Sequence, residues 1–182
     1  MFNPMNLTKW VEENRHLLKP PVGNKQIETP GCDTIVMIVG GPNARNDFHI
    51  QPTEEFFYQV EGDITLRIMH PDTHEPHDIV IREGELYMLP RGVPHSPQRP
   101  ADTIGLVIEQ KRPDAPQDAL RWYCDGCHRV VYEATFALAN IATDLKQIME
   151  TFWGDERLRT CEACGDVVKH PGPAQAPAPA SH

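Results

Sequence analysis

His49 and Glu55 stand with five residues between them in HIQPTEE, and a second histidine, His95, closes the run GELYMLPRGVPH (84–95). Two imidazoles and one carboxylate can take one face of a metal ion and leave the other face open, which is the donor set of non-haem Fe(II) oxygen chemistry. The same donors also accept Mn, Ni, Zn or Cu, so geometry and metal supply decide between them. A lone histidine is most often an ordinary hydrogen-bonded side chain, but three ligand-type residues at the joints of strands and turns point to a metal. A second group lies further on. Cys124–Cys127 and Cys161–Cys164 form two C-x2-C pairs separated by 33 residues. Four thiolates from two such pairs make a tetrahedral S4 site for Fe or Zn. No position stays open there, so that site is expected to be structural or redox. Cys32 is left over and is expected to be a buried free thiol.

Arginines flank the first group. Arg45 lies four residues before His49 and Arg99 four after His95, in a chain of formal net charge −9. Placed at the metal, a guanidinium fork would hold a carboxylate in bidentate fashion. Glu109 ends TIGLVIE on the strand face shared with Thr103, Gly105 and Val107. If that face turns inward, Glu109 is a buried carboxylate, either neutral or paired with an arginine, and fit for proton transfer. The alternative is a structural Arg–Glu pair closing the barrel mouth. Asp47 is either a hydrogen-bond partner of an imidazole or a solvated turn residue. His70, His74 and His77 in MHPDTHEPHD, and His170 and His182 near the end, are expected to be solvated.

Short strands must carry these residues. Candidates are 34–39, 55–60, 64–69, 78–81, 86–90 and 103–109, punctuated by GGPN, EGD, REG and PRGVP. In ITLRIM, Ile64, Leu66 and Ile68 alternate with Thr65, Arg67 and Met69, the period of a half-buried strand. With no crossover helix between them, the strands predict an antiparallel sandwich or barrel. An amphipathic helix precedes them over 6–18, with Asn6 as N-cap and Leu7, Trp10, Val11, Asn14, Leu17 and Leu18 on one face. Pro20 and Pro21 end it. A second helix, 141–153, places Ile141, Leu145, Ile148, Met149, Phe152 and Trp153 on one face between the cysteine pairs.

The 182 residues allow one domain with a full core and a small appendage. The expected division is a barrel with its N-terminal helix over 1–115, a cysteine-clamped segment over 116–170, and a disordered proline–alanine tail over 171–182. No apolar run approaches the roughly 20 residues of a membrane span. The acidic balance argues against nucleic acid. Charges occupy the N-terminus where a signal peptide needs an apolar stretch, so a cytoplasmic location is expected.

The segment G84-x5-P90-x-G92-x2-H95 resembles the second cupin motif, except that Arg99 stands where Asn is usual. The first segment, H49-x5-E55-x6-G62, resembles the first cupin motif with two departures: Asp47 replaces its first His, and the gap to Glu55 is one residue longer. Those departures point to three ligands rather than four. The resemblance implies an all-β cupin (a double-stranded β-helix or jelly-roll barrel) with an N-terminal helix and a C-terminal helical, four-cysteine metal segment. It narrows further. KPPVGNKQ (19–26), GGPNARNDFH (40–49), EEFFYQVEGD (54–63), HSPQRP (95–100) and IEQKRP (108–113) together resemble the 3-hydroxyanthranilate 3,4-dioxygenase family, in its cysteine-bearing bacterial type.

That resemblance implies an oxidoreductase that opens the ring of 3-hydroxyanthranilate with O2 to give 2-amino-3-carboxymuconate semialdehyde. The product closes to quinolinate, a precursor of NAD, and lies on routes of tryptophan breakdown. It further implies catalytic Fe(II) on His49, Glu55 and His95, with Arg45, Glu55, Arg99 and Glu109 at the substrate and Arg45 and Glu109 catalytic. Asn24 would lie in a loop near the pocket. A rubredoxin-like iron, or Zn, would sit on Cys124, Cys127, Cys161 and Cys164, and the chain would form a homodimer. Other readings that keep the ligands are a different cupin dioxygenase or isomerase, or a metal-dependent sensor of a small aromatic acid.

Overall fold

The structure, a computed structural model, describes residues 4–19, 23–112, 118–136 and 141–177, without the side chains of 141–144. Helix α1 (Leu7–Asn14) starts at Asn6, whose side chain accepts the Lys9 N–H at 2.9 Å, as an N-cap should. It tightens into a 3-10 turn over Arg15–Leu18. Val11 and Leu18 are buried against Ile38 and Ile104. Leu17, expected on the same face, is exposed instead. The tighter turn, with three residues per turn instead of 3.6, rotates it outward. Pro20 and Pro21 lie outside the described residues.

Among the described residues eleven strands follow: β1 (Asn24–Ile27), β2 (Thr34–Gly40), β3 (Phe48–Ile50), β4 (Glu55–Glu61), β5 (Ile64–Met69), β6 (Pro76–Ile81), β7 (Leu86–Leu89), β8 (His95–Gln98), β9 (Ile104–Gln110), β10 (Asp118–Tyr123) and β11 (Val130–Phe136). All pairings are antiparallel. One sheet has the order β1-β2-β9-β4-β7 and the other β11-β10-β3-β8-β5-β6. This is the antiparallel two-sheet sandwich that the strand pattern predicts. Asn24 opens β1 rather than lying in a loop.

Between the sheets Phe57, Ile64, Leu66, Ile68, Ile81, Leu89 and Val107 are buried, each such side chain worth roughly 1.5–3 kcal/mol. The inward face of β4 reads Glu55, Phe57, Gln59 and that of β9 reads Gly105, Val107, Glu109. Each core face thus begins apolar at its middle and ends in a carboxylate. Gly62 makes the β4–β5 turn at φ 65°, which glycine adopts without strain.

Beyond the barrel, Leu120, Trp122, Phe152 and Val168 form a separate buried cluster. Helix α2 (Ile141–Gly154) supplies Phe152, with Leu145, Ile148, Met149 and Trp153 packed alongside. A short helix, α3 (Glu156–Arg159), follows, capped by Asp155. The barrel and this segment share β10, which pairs β3 on one side and β11 on the other. Cys32, expected to be buried, is exposed in the turn between β1 and β2. His74 lies exposed in the β5–β6 hairpin and His77 is an exposed strand residue, but His70, expected to be solvated, is half-buried and its Nδ1 accepts the Asp72 N–H at 3.3 Å. His170 is exposed but stacks on Trp153 at 3.8 Å between ring centroids. Pro171–Pro177 form no helix or strand, and the Ala174 N–H donates to Asn43 O at 2.9 Å. His182 lies outside the described residues. No helix among the described residues is long and apolar enough to cross a membrane.

Candidate metal centre

Strand register brings the first group together. His49 on β3 is the direct cross-strand partner of His95 on β8. In the facing sheet Glu55 on β4 is the direct partner of Glu109 on β9. Directly opposed residues place their Cβ atoms about 4.5–5.5 Å apart on one face, so two pairings assemble four polar groups at one end of the sandwich. The His49 and His95 ring centroids are 5.4 Å apart. Their ligand atoms and a Glu55 oxygen all lie within 4.8 Å of one another, a group that could hold a metal ion.

The surroundings fix how each side chain is presented. His95 Nδ1 lies 3.0 Å from Val93 O. A carbonyl only accepts, so Nδ1 carries a proton, and Nε2 faces Glu55 Oε2, 2.8 Å away. Gln51 Nε2 donates to the same Glu55 oxygen at 3.0 Å. His49 Nε2 hydrogen-bonds Asp118 Oδ2 at 2.8 Å. Burial pushes the His49 pKa down against the pull of Asp118, which favours the neutral imidazole a metal requires. Burial alone would raise Glu55. The charges of His95, His49 and Arg112, and the His95 hydrogen bond, outweigh it and hold Glu55 below its ordinary value. Two imidazoles and a carboxylate, converging and buried, fit a divalent ion.

The arginines are placed differently from one another. Arg99 is 2 % exposed. Its Nη1 donates to Gln59 Oε1 at 3.1 Å, and its backbone N–H goes to Asn43 Oδ1 at 2.8 Å. Burial lowers its pKa to about 10, so it stays a cation at neutral pH. Gly105 gives it space: a Cβ there would stand 2.7 Å from Arg99 Nη1 and 2.5 Å from Gln59 Oε1, and both side chains would have to shift. Arg45 is bound to buried Asp47, with Nε 3.2 Å from Oδ1 and a second contact from Nη2. Asp47 therefore serves an arginine, neither an imidazole nor solvent.

Glu109 is 3 % exposed. Its partner is Arg112, at 2.6 Å from Oε2, rather than Arg45 or Arg99. Burial first, and the nearby Glu55 charge second, raise its pKa to about 7. Its other oxygen, Oε1, is buried with no hydrogen-bond partner. Gln51, Arg112 and Asp118 are the residues that the sequence reading missed. Gln51 lies inside HIQP, and Arg112 and Asp118 flank a proline-rich stretch without periodicity.

The cysteines form the second group. Cys124 and Cys164 Sγ are 3.4 Å apart, Cys127 and Cys161 Sγ 3.6 Å, and all four lie within 4.8 Å of one another. Tetrahedral thiolates at about 2.3 Å from a metal stand roughly 3.8 Å apart, so the four atoms are close to that arrangement. The two knuckles match. The Cys124 N–H donates to Arg129 O and the Cys161 N–H to Asp166 O, both at 2.8 Å. His128 and Gly165, each just after a second cysteine, both take positive φ.

The chain is similar to proteins of one named family. A family model described as 3-hydroxyanthranilic acid dioxygenase matches residues 1–153. The chain is 49% identical over 180 residues to a 3-hydroxyanthranilate 3,4-dioxygenase of Neurospora crassa, covering 97% of this chain and 98% of that one. It is 52% identical to a protein of the same name from Yarrowia lipolytica, covering 91% and 95%. A Xanthomonas campestris pv. campestris protein of that name is also 52% identical, covering 93% of both chains. Among solved structures, a cupin-2 domain containing protein from Shewanella frigidimarina gives a TM-score of 0.44 at 20% identity, covering 56% of this chain and 91% of that one, too slight a likeness to weigh. With a family model across most of its length and relatives near half-identical from end to end, the chain belongs to the 3-hydroxyanthranilic acid dioxygenase family.

Proposed function

We propose that this chain cleaves the ring of 3-hydroxyanthranilate with O2 to give 2-amino-3-carboxymuconate semialdehyde, using one Fe(II) at His49, Glu55 and His95. The observation that carries the reading is the paired register, His49 opposite His95 and Glu55 opposite Glu109, which gathers three donors beside a proton acceptor. The ion, when bound, supplies open positions for substrate and dioxygen side by side. Arg99, a buried cation, binds the ring carboxylate and fixes the ring's orientation. Arg45, steadied by Asp47, adds positive charge where negative charge develops. Glu109 takes the phenolic proton on the unpartnered Oε1 while Arg112 holds Oε2. Both oxygen atoms of O2 end in the product, and no organic cofactor takes part. The four cysteines hold a second metal, Fe or Zn, as a structural clamp. The enzyme works as a cytoplasmic homodimer.

The test is anaerobic addition of Fe(II) and 3-hydroxyanthranilate, followed by oxygen. One O2 consumed per substrate, with a transient product absorbance, is expected. A binding shift without oxygen uptake would make the chain a sensor. Arg99→Ala is expected to raise the KM for 3-hydroxyanthranilate by about tenfold to a hundredfold, the loss of a charged hydrogen-bond pair worth roughly 1.5–3 kcal/mol. Steady-state kinetics reads this, and an unchanged KM removes Arg99 from the substrate site.

Acidity gives a second reading. Glu109, with its pKa near 7, is protonated on the acid side and can accept a proton only above that. kcat/KM should therefore rise with pH through about 7 and level off. Glu109→Gln should lower the rate and abolish that limb. A Gln variant that keeps the limb assigns it to another group.

A further inference from the structure

Arg112 links groups that sit on different strands. Its Nη2 lies 2.6 Å from Glu109 Oε2 and also donates to Gln51 Oε1. Its Nε lies 3.0 Å from Asp118 Oδ1, off the line of a hydrogen bond, so both of those buried atoms remain without a hydrogen-bond partner. Asp118 in turn bonds His49, and Gln51 bonds Glu55. One guanidinium thus reaches two of the three ligand-type side chains, each through a single intermediary.

The local fold explains the convergence. Strand β9 ends at Gln110, so the chain turns and Arg112 comes back onto Glu109, three residues earlier. Strand β10 pairs Ala119 with Ile50 and Leu120 with His49, which sets Asp118 beside the stretch leading to Gln51. The side chains of Arg112, Glu109 and Asp118 are 5%, 1% and 1% exposed. Glu55, Glu109 and Asp118 would repel one another in so dry a place without a cation among them. A planar fork can face three acceptors in fixed directions, and a single ammonium cannot.

We propose that Arg112 is the positioning residue of the metal centre, acting through Asp118 on His49 and through Gln51 on Glu55. This rests on the reading of His49, Glu55 and His95 as the ligands. Without Arg112, Asp118 becomes an unopposed buried carboxylate and Gln51 loses its anchor. Both ligands are then free to turn away from the ion.

The experiment is an anaerobic titration of the full chain, cysteine-bound metal in place, with Fe(II) against a competing chelator. Arg112→Gln is expected to weaken Fe(II) binding at the centre by about tenfold to a hundredfold, the range for partners of metal ligands, while the cysteine metal stays. Arg112→Lys should restore only part of that loss. At saturating Fe(II), the KM for 3-hydroxyanthranilate should stay within about twofold of wild type while kcat falls, because Arg112 serves the centre and Glu109 rather than the substrate carboxylate. Wild-type Fe(II) affinity in Arg112→Gln, or loss of both metals together, overturns the assignment. Should Arg112→Gln not fold, Gln51→Ala removes the Glu55 link alone. A loss of about tenfold then supports the proposal and unchanged affinity overturns it. If the wild-type chain takes up no ferrous ion beyond its cysteine metal, or His95→Ala still takes it up, the ligand reading itself fails, whatever Arg112 does.

Discussion

His95→Ala is expected to lose the catalytic metal and with it the oxygenation, by at least about a thousandfold, an order beyond the 10–100-fold typical of an outer partner. His95 is the residue to change because it touches both other members of the group. Its ring faces His49 across the β3–β8 pairing, and its Nε2 lies 2.8 Å from Glu55 Oε2. Removing it opens space beside two side chains whose charge states depend on it. Metal analysis should find the cysteine-bound ion retained and the other absent, with no oxygen uptake on adding 3-hydroxyanthranilate. A variant that keeps two metals per chain and turns over would place the reaction elsewhere in the molecule.

The second large effect concerns stability. Cys161→Ser is expected to cost several kcal/mol, a sizeable share of the roughly 5–15 kcal/mol that holds a whole domain together. Cys161 is buried, and its thiol pKa is lowered to about 7, chiefly by the backbone N–H groups of Cys164 and Ala163, which makes it a ready thiolate ligand. Beyond the cysteines the C-terminal segment is held by one apolar cluster, with Phe152 and Val168 buried against Leu120 and Trp122 and partly buried side chains around them. Loss of the metal should therefore loosen α2 and α3 first. Thermal melts with metal analysis, and limited proteolysis within 141–159, follow this directly. A melt identical to the wild type would mean the clamp carries no folding energy.

The proposed ligands are legible because strand ends and turns leave marks in sequence. Glycine and proline punctuate the joints, and His49, Glu55 and His95 sit beside them at motif spacing. Six strands could be read from alternation or apolar content. Strands β3 and β8 could not: FHI is three residues long and HSPQ is polar with a proline. Strands β10 and β11 were hidden by their neighbours, a proline-rich stretch before one and the cysteine knuckle before the other.

The same blindness explains Arg112 and Asp118. They meet over a stretch with no period to read, and only the pairing of β10 with β3 sets Asp118 beside His49. The alternation of TIGLVIE puts Glu109 on one face with Val107 and leaves open whether that face is inward; the structure buries it. Which arginine pairs with it is not legible, because nothing in the sequence singles out Arg112, three positions away.

The opposed pairs at the centre bear on how such a chain tolerates changes in length. Side chains alternate along a strand, so one residue gained or lost within β4 would turn Glu55 out and bring a neighbour in. In the β5–β6 hairpin Pro71, Asp72 and Thr73 lie away from His49, Glu55 and His95, whereas Glu75 pairs with His128 beside Cys127 and has to stay in place. Insertions are cheap at Pro71, Asp72 and Thr73 and ruinous in the short runs flanking His49, Glu55 and His95, which makes that part of the hairpin the place to graft a foreign loop.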